Sequence, residues 1–269
     1  MSVRDLTLVA GGRRHRTPSE LMLSQKRPWG HAVADDEDLG FQEVNKFGRN
    51  EACSTGEVIR AGGGTIDIET TATKVEIIGT DGGDIDAGAG AQAVKILGVD
   101  INWNPIEEQI ATNGLSASLA SELEYLYVYR AKVMNSGAVR NLGDLNIRRQ
   151  SAGAVLAIIP QGYGQTQQAV MTVFHGCDFH VNTLRFEGSK TGALTGEIAL
   201  VEYDLDEGIR IVHPIVFSSA QPITVEWTDA PKVFTEKTLL WVEAVSLSAG
   251  AIITASFDGV MERHEDSTV

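Results

Sequence analysis

The sequence predicts an all-β protein with two antiparallel β-sandwich domains, each jelly-roll-like, preceded by an extended N-terminal arm. Three observations lead to this fold class. Short runs rich in Val, Ile and Thr alternate with polar residues, as half-buried strands do. Gly, Asp and Asn turns separate these runs at close and regular intervals, which is typical of sandwiches and barrels. The intervals leave no room for the helices that connect parallel strands.

Length and punctuation divide the 269 residues into three parts. In residues 1–50 the apolar residues follow no sustained period, which predicts an extended arm that becomes ordered against a partner. A near-continuous apolar run at residues 154–159 ends in the turn-forming residues 160–164, and this punctuation predicts a domain boundary. We therefore predict a first sandwich over residues 51–160 and a second over residues 161–269.

Each predicted sandwich contains several strand candidates. In residues 65–69, Ile66 and Ile68 fall on one face and acidic residues on the other, as in a half-buried strand. Asn113-Gly114 separates two alternating segments, which is a strong hairpin signal and predicts a meander. The candidates in the first domain are residues 57–60, 65–69, 74–78, 91–97, 106–110, 125–133, 145–148 and 154–159, and those in the second are residues 169–174, 180–186, 197–203, 208–212, 223–227, 237–243 and 251–257.

Charge is distributed unevenly along the chain. Residues 1–34 hold six basic and two acidic residues, a net +4, which leaves −18 for the rest of a chain whose formal charge is −14. So acidic a body is unsuited to direct nucleic-acid binding, because phosphate binding requires a clustered positive surface. The basic segment is either a solvated tail or suited to an acidic groove on a neighbouring copy. The predicted partner-binding residues in it are Arg13, Arg14, Arg16, Lys26 and Arg27.

The cysteine spacing and the lengths of the apolar runs indicate where the protein is made and whether it enters a membrane. Cys53 and Cys177 lie far apart and outside any Cys-x-x-Cys or Cys/His spacing, so neither a zinc site nor a disulfide framework is predicted. The N-terminus lacks the apolar core of a signal peptide, and no apolar run approaches the length of a membrane span. We expect a soluble product, made in a cytoplasm, without a membrane partner.

Two loop patterns are candidate ligand sites. Residues 88–93 match the loose G-x-G-x-x-A form of a dinucleotide fingerprint, but residues 94–98 have a strand-and-turn pattern where the fingerprint requires a helix. We therefore predict a glycine-rich hairpin loop and no cofactor. Asp81, Asp84 and Asp86 are weak candidates for a calcium site. Their spacing departs from that of the EF-hand, and acidic turn residues at an exposed hairpin tip are the favoured interpretation.

Histidine, cysteine and aspartate crowd together at His175, Cys177, Asp178 and His180. Alternation along a strand puts the first two on one face and the last two on the other, which prevents convergence on one ion. Neither a Gly-x-Ser-x-Gly elbow nor a His-Glu-x-x-His motif occurs. A glycan depolymerase would need paired carboxylates in a cleft, and no spacing singles out such a pair. The sequence therefore predicts no enzyme.

Tyr125, Tyr127 and Tyr129 alternate along one strand candidate, which places them on one face. Nucleic-acid readers interleave basic residues with such aromatics, and here Arg130 and Lys132 are the basic residues nearby. Packing in the core or between subunits is favoured, because tyrosine suits interfaces that are apolar at one end and wet at the other. We therefore count the three tyrosines among the predicted partner-binding residues.

Glycine and turn positions recur in five blocks of the chain and in a junction after them. The blocks are residues 75–81 (VEIIGTD), 86–100 (DAGAGAQAVKILGVD), 107–114 (EEQIATNG), 130–137 (RAKVMNSG) and 141–147 (NLGDLNI), and the junction is residues 162–166 (GYGQT) with residues 171–176 (MTVFHG). Together they resemble a family of virion structural proteins of tailed bacteriophages. Members of that family carry a DxxxGxGAxxVxxxGLD hairpin, an ExxxxNG strand, a VxxxGSxxxNxGxI strand and a GYGQT…YxVPxG junction.

The resemblance covers roughly residues 56–190. It departs from the family pattern at Val99, where Leu is usual, and at Phe174-His175, where Pro and a small residue are usual. The resemblance implies a non-enzymatic structural component of the virion, a ring or trimer of identical copies attached to the capsid, neck or tail through other virion structural proteins. No catalytic residue transfers, since the motif positions are glycines and turn residues.

A receptor- or glycan-binding fibre protein of the virion is the alternative. In that case Trp103 and the acidic loop at residues 81–86 would contact a host polysaccharide. Both readings of the resemblance imply that the protein is located in the virion after synthesis in the host cytoplasm.

Overall fold

The computed structural model describes residues 41–190, 194–218, 221–227, 231–248 and 250–264. Within these ranges the chain forms sixteen β-strands and no helix, and therefore no helix that could cross a membrane. Every pair of neighbouring strands there is antiparallel. The prediction of an all-β protein built from antiparallel sheets is confirmed. Most of the predicted arm lies outside the described residues, including Arg13, Arg14, Arg16, Lys26 and Arg27.

The longest strands lie near the two ends of the described chain and pair with one another. The strands are β1 Phe41–Cys53, β2 Glu57–Val58, β3 Val75–Gly79, β4 Ala91–Val99, β5 Pro105–Ala111, β6 Tyr127–Ser136, β7 Leu145–Arg149, β8 Val155–Ile159, β9 Val170–Thr172, β10 Cys177–Ser189, β11 Gly196–Asp204, β12 Gly208–Phe217, β13 Ile223–Glu226, β14 Lys232–Phe234, β15 Leu239–Leu247 and β16 Ala251–Arg263. β16 lies between β1 and β10 in one sheet.

The described strands form four sheets. Sheet I has the order β1-β16-β10-β13, with β14 also paired to β10, and sheet II has the order β12-β11-β15-β2, with β9 also paired to β15. Sheet III has the order β3-β7-β8 and sheet IV the order β5-β4-β6.

Buried apolar side chains fall into two clusters. The large core takes residues mainly from sheets I and II, such as Phe257 and Leu200, and it also includes Val99 and Tyr127 of sheet IV. The small core takes residues from sheets III and IV, such as Ile147 and Ile96. Because sheets that bury side chains in one cluster pack together, we call β1, β2 and β9–β16 the large unit and β3–β8 the small unit.

The small unit is inserted into the large unit along the chain. β3–β8 occupy residues 75–159, whereas the strands on either side of them pair with each other, β1 with β16 and β2 with β15. The predicted boundary at residue 160 follows the end of β8, and the predicted boundary at residue 50 falls inside β1. Local periodicity does not predict β1, because its inward positions are mostly polar or glycine: Val44, Lys46, Gly48 and Asn50.

The predicted meander is wrong in its strand order. A meander would place β5 between its two neighbours, but β4 is central in sheet IV and pairs with both β5 and β6. The burial patterns give the reason: β4 is mostly buried, whereas β5 alternates between exposed and partly buried positions as an edge strand does. Asn113-Gly114 does not close a hairpin, and the N–H of Gly114 donates to the Asp84 carbonyl oxygen at 2.7 Å.

Residues 65–69, a predicted strand, form no ladder. Ile66 and Ile68 both pack against the large core, so their predicted common face is correct. Side chains bond this backbone instead of a neighbouring strand: Arg60 Nη2 donates to Thr65 O and the N–H of Glu69 donates to Tyr127 Oη, both at 3.0 Å. Alternation reports burial of one face, whereas a strand also requires a backbone partner.

Candidate interaction surfaces

Asp84 joins the β3–β4 loop to the β6–β7 loop in the small unit. Its side chain is fully buried. The carboxylate accepts hydrogen bonds from the backbone N–H groups of Ala91 (2.7 Å), Leu142 (2.9 Å) and Gly143 (2.8 Å). Three buried donors are thereby satisfied by one side chain, which makes Asp84 a structural residue.

The three aspartates proposed for calcium do not converge. Asp81 Oδ1 accepts from the N–H of Gly83 at 2.8 Å, as in a turn, and Asp86 is exposed. Among the residues that the structure describes, no three His, Cys, Asp or Glu side chains lie close enough to hold a metal ion. The turn interpretation fits better, with the correction that Asp84 is buried and not at an exposed tip.

Close approach of the backbone accounts for the glycines at residues 88–90. A Cβ on Gly88 would lie 2.3 Å from the carbonyl oxygen of Gly83, and one on Gly90 would lie 2.1 Å from Asp84 Oδ1. Residues 91–99 then form β4, where a dinucleotide fingerprint requires a helix. These glycines therefore set the shape of the β3–β4 loop. The predicted hairpin is wrong, because β3 pairs with β7 in sheet III, whereas β4 pairs with β5 and β6 in sheet IV.

The three predicted interface tyrosines lie inside the protein and not on one face. Tyr125 is fully buried in the small core, Tyr127 is buried in the large core, and Tyr129 is partly buried against the large core. The chain bends at Leu126, before β6 begins, and this bend sends Tyr125 into a different core from Tyr127. The prediction of a shared face is wrong for that reason.

Burial has further consequences for these aromatic side chains. It raises the pKa of Tyr127 and of Tyr129 to about 12. The Tyr127 ring lies 5.4 Å from that of Trp103, which is itself only 3% exposed. The predicted contact of Trp103 with a polysaccharide is therefore wrong, since its ring is used within the large core.

A buried lysine crosses the contact between the two units. Lys46 of β1 donates a hydrogen bond to the carbonyl oxygen of Tyr129 in β6, and its Nζ lies 5.3 Å from the centre of the Tyr129 ring. Burial, and then the nearby Arg130, lower the pKa of Lys46 well below its ordinary value. Arg130 in turn donates to the carbonyl oxygen of Asn45.

The linker between β8 and β9 also attaches the units, by running along the edge of β6. The N–H of Thr166 donates to the Ala131 carbonyl (2.9 Å), and the N–H of Ala131 donates to Thr166 Oγ1 (3.2 Å). Gln168 Nε2 donates to the Val128 carbonyl at 3.0 Å. The edge of β6 that faces away from β4 is therefore occupied by the chain itself.

The histidine and cysteine cluster does not form a catalytic arrangement. Each histidine near it lies beside a different carboxylate, and Cys177 is buried in the large core, where burial raises the pKa of its thiol. The pairs are His175 with Glu236 (2.6 Å), His180 with Glu262 (2.8 Å) and His264 with Asp178 (3.1 Å).

A groove of about 420 Å³ follows sheet I. Phe47 and Tyr163 line it with aromatic rings, and Arg49 and Arg185 line it with guanidinium groups. Its residues come from β1, β10, β13, β16 and the β8–β9 linker, which are far apart in the sequence. Sequence reasoning missed the groove for this reason.

Among the strands that the structure describes, β12 lies at one edge of sheet II, and it carries a row of exposed apolar side chains. Ile209, Ile211 and Val216 are 61%, 48% and 77% exposed. A bulge at residue 212 interrupts the alternation, and the sequence accordingly predicted a strand that stopped there. Four residues of β12 lie opposite every second residue of β11, so their side chains share one face of the sheet. We call these four residues the β12 stripe: Ile209, Ile211, Pro214 and Val216.

No protein-family model matches the chain, and no curated protein is similar to it. Among solved structures, a particle with T=1 symmetry derived from infectious bursal virus is 10% identical, with 83% of this chain and 78% of that chain covered and a TM-score of 0.12. The VP2 subviral particle of infectious bursal disease virus is 11% identical, with 83% and 80% covered and a TM-score of 0.13. TM-scores at this level do not indicate a shared fold.

Proposed function

We propose that the protein is a non-enzymatic structural component of a tailed-phage virion, a homo-oligomer attached to the capsid, neck or tail. The proposal is carried by one observation: the positions that match the phage motifs have structural roles. The DxxxGxGA part of the first motif matches residues 84–91. There Asp84 bonds three backbone N–H groups, and Gly88 and Gly90 allow the backbone to approach closely. A motif that specifies shape and carries no reactive group suits a protein whose function is assembly.

Two further acidic motif positions organise turns. Asp100 Oδ1 accepts from the N–H groups of Asn102 and Asn104 at 2.8 and 2.9 Å. The Glu108 carboxylate accepts from the N–H of Glu122 at 2.9 Å. Each carboxylate bonds backbone N–H groups of a nearby turn, as Asp and Glu side chains commonly do.

The block at residues 141–147 and the junction after it are bonded together. Asn141 Nδ2 donates to the Pro160 carbonyl (2.8 Å), and Asn141 Oδ1 accepts from the N–H of Gly164 (3.0 Å). Gly164 has a φ of 70°, in the left-handed region that glycine adopts readily. The start of the junction is therefore bonded to the β6–β7 loop of the small unit.

The finer architecture belongs to the same proposal. Sheets I and II would form one β-sandwich and sheets III and IV a second, since each pair of sheets shares a single core. The larger sandwich would combine β1 and β2 with β9–β16, so it would be discontinuous in sequence. Two rigid sandwiches fixed to each other by buried contacts suit a repeated component of a particle.

Particles of the phage that encodes the chain provide the test. Mass spectrometry of purified particles should detect the protein in many copies, and a reconstruction should show it in symmetry-related positions. Absence of the protein from particles that are otherwise complete would overturn the proposal. A purified protein that stays monomeric at high concentration would also count against it.

A glycan-binding fibre protein is the second candidate, and the groove along sheet I favours it. Three aromatic residues (Phe47, Tyr163 and Phe186), the guanidinium groups of Arg49 and Arg185, and the carboxylate of Glu187 line a cavity of about 420 Å³. The rings and the guanidinium groups could bind a saccharide that carries carboxylates, because rings supply apolar surface and Arg binds carboxylates bidentately. This groove replaces Trp103 and the acidic loop as the contact surface.

Glycan-array binding of the full chain would test the second candidate. Arg185→Ala should reduce binding to any acidic glycan that scores, whereas Lys132→Ala, an exposed cation outside the groove, should leave it unchanged. An array without hits would remove this candidate and leave the first one standing.

A further inference from the structure

We infer that the β12 stripe is the docking site for the basic N-terminal segment, residues 1–16, of a second copy of the chain. The inference rests on the proposed assembly of identical copies and names the two surfaces that would join them.

The stripe has the properties of an unfilled interaction surface. It lies on a strand at the edge of sheet II, where backbone groups on one side pair with none of the described strands. Its apolar side chains form a continuous row on one face instead of being scattered singly, and rows of this kind mark contact sites. Elsewhere the large core is covered by the chain itself, for example by Ile66 and Ile68.

Charge around the stripe selects the kind of partner. Residues 202–210 hold four acidic residues and one arginine, a net −3. Arg210 already pairs with Glu202 and Glu207, so it does not offset the carboxylates of the β11–β12 turn. Pairing of β12 with β12 of another copy would bring two such acidic turns into one interface, which like-charge repulsion disfavours. A basic partner is favoured.

The N-terminal segment has the complementary pattern. Leu6, Leu8 and Ala10 alternate along a short run that can adopt an extended conformation, and Gly11-Gly12 separates this run from the cluster Arg13-Arg-His-Arg16. With four arginines against Asp5, residues 1–16 carry a net +3, which matches the −3 of residues 202–210. Apolar side chains on one face followed by basic residues fit an apolar row that ends at an acidic turn.

The edge of β12 also limits where the segment can dock. The bulge at residue 212 and Pro214, which has no N–H, interrupt the donors along the edge. Strand-like pairing is therefore confined to residues 208–211, beside the acidic turn. In that position Leu6 and Leu8 would pack on Ile209 and Ile211, and the arginine cluster would face Asp204 and Asp206.

The chain between the segment and β1 is long enough for exchange between copies. Residues 17–40 would span up to about 80 Å when extended, more than twice the length of the ten-residue strand β12. The segment can therefore reach a neighbouring copy without any change in sheet I.

Sedimentation velocity of the full chain over a wide concentration range tests the inference. Ile211→Glu, and separately the combined change Arg13→Glu, Arg14→Glu and Arg16→Glu, should each weaken self-association about tenfold or more, because each removes one half of the contact. Leu119→Glu is the matched control: Leu119 is 87% exposed in the small unit, outside the stripe, and this change should leave association unaltered. Adding Asp206→Arg to the arm-reversed protein should restore part of the association.

Hydrogen exchange of the β12 amides distinguishes docking of the N-terminal segment on another copy from docking on its own copy. Protection of residues 208–211 that increases with protein concentration supports the inference. Equal protection at all concentrations in a monomer would overturn it, as would association that neither variant weakens. This experiment measures association of the purified protein in solution. A negative result would overturn the docking site alone, whereas absence of the protein from particles would overturn the proposed function.

Discussion

The large unit is held together by aromatic rings that meet in pairs, whereas the small unit combines an aliphatic core with buried polar groups in its turns. In the large unit the ring centres of Phe179 and Phe257 lie 6.2 Å apart and those of Phe186 and Phe217 lie 5.1 Å apart. Among the described residues of the small core, Tyr125 is the one aromatic side chain.

In the small unit, hydrogen bonds between buried acidic side chains and turns stabilise the fold, whereas buried aromatic rings do so in the large unit. Glu76 is buried on β3 and bonds Arg148 and the N–H groups of Ser151 and Ala152 in the β7–β8 turn. Burial by itself raises the pKa of Glu76, but the hydrogen bonds from Ala152, Arg148 and Ser151 bring the pKa below its ordinary value. Acidic and glycine positions that cluster in one half of a chain can therefore specify loop architecture and need not bind a ligand.

Phe257→Ala should have the largest effect, and it should act on the large unit. Phe257 is fully buried, and truncation of a buried Phe typically lowers the free energy of unfolding by about 3–5 kcal/mol. Urea denaturation measures this change. Val233→Ala on β14, where Val233 is 53% exposed, is the control and should change the free energy by less than about 0.5 kcal/mol. Similar values for the two variants would contradict the assignment of the large core.

Asp84→Ala should have the next largest effect, and it should act on the small unit. The change leaves three buried N–H groups without an acceptor, at about 1–3 kcal/mol each before relaxation, and we expect a total loss near 3 kcal/mol. Thermal unfolding followed by circular dichroism measures it. Asp86→Ala, two residues away and exposed, should be nearly neutral. Added calcium should not stabilise the wild-type protein, and a clear stabilisation would revive the metal hypothesis.

Two glycine substitutions separate two reasons for glycine: close approach of another backbone segment at Gly88, and a positive φ at Gly208. Gly88→Ala places a Cβ against the backbone of Gly83, so we expect a loss of about 1–3 kcal/mol, as for other overpacked sites. Gly208 has a φ of 79° and open space around it, so Gly208→Ala should lose about 1 kcal/mol from strain alone. Chemical denaturation of both variants gives the order, and the reverse order would be inconsistent with a tightly packed β3–β4 loop.

Lys46→Met tests the buried contact between the units by its effect on how the free energy of unfolding depends on pH. Because the pKa of Lys46 is lowered in the folded state, the unfolded chain binds more protons between that value and the ordinary 10.5, and the free energy of unfolding rises with pH in this window. The wild-type protein should therefore gain stability relative to Lys46→Met as pH rises from 7 toward 9.5, by at most about 1.4 kcal/mol per pH unit.

The upper limit of that pH range avoids the tyrosines. The raised pKa values of Tyr127 and Tyr129 contribute stability that is lost above about pH 10, where unfolded tyrosines ionise first. Lys132→Met, at an exposed position, is the control and should show no such trend. A pH-independent difference for Lys46→Met would mean that Lys46 is solvated.

Local patterns in the sequence predicted the strand content and the shape-setting glycines, but not how the strands are combined. Alternation identified Ile66 and Ile68 as one buried face, and glycine spacing identified the loop at Gly88 but not that it joins two different sheets. The pairing of β1 with β16 joins residues about two hundred positions apart, and no local period reports such a partner. Lys46 is buried against the carbonyl oxygen and the ring of Tyr129 in the other unit. A charged residue at an inward position breaks the apolar alternation by which a strand is predicted, so β1 was not predicted.

The surfaces were the least predictable part. The bend at Leu126 redirects Tyr125, and the positive φ of 65° at Trp103 accompanies burial of a ring that the sequence had suggested was exposed. The groove along sheet I depends on residues from several strands. The β12 stripe is visible as alternation only on either side of its bulge.

Hydrogen exchange followed by mass spectrometry, along a series of urea concentrations, tests the insertion of the small unit most directly. If the two units are organised as described, peptides from β1 and β2 will lose protection together with those from β15 and β16, and peptides from residues 75–159 will lose protection as a separate group. Loss of protection in β1 and β2 together with residues 75–159, ahead of β15 and β16, would contradict the division of the chain into these two units.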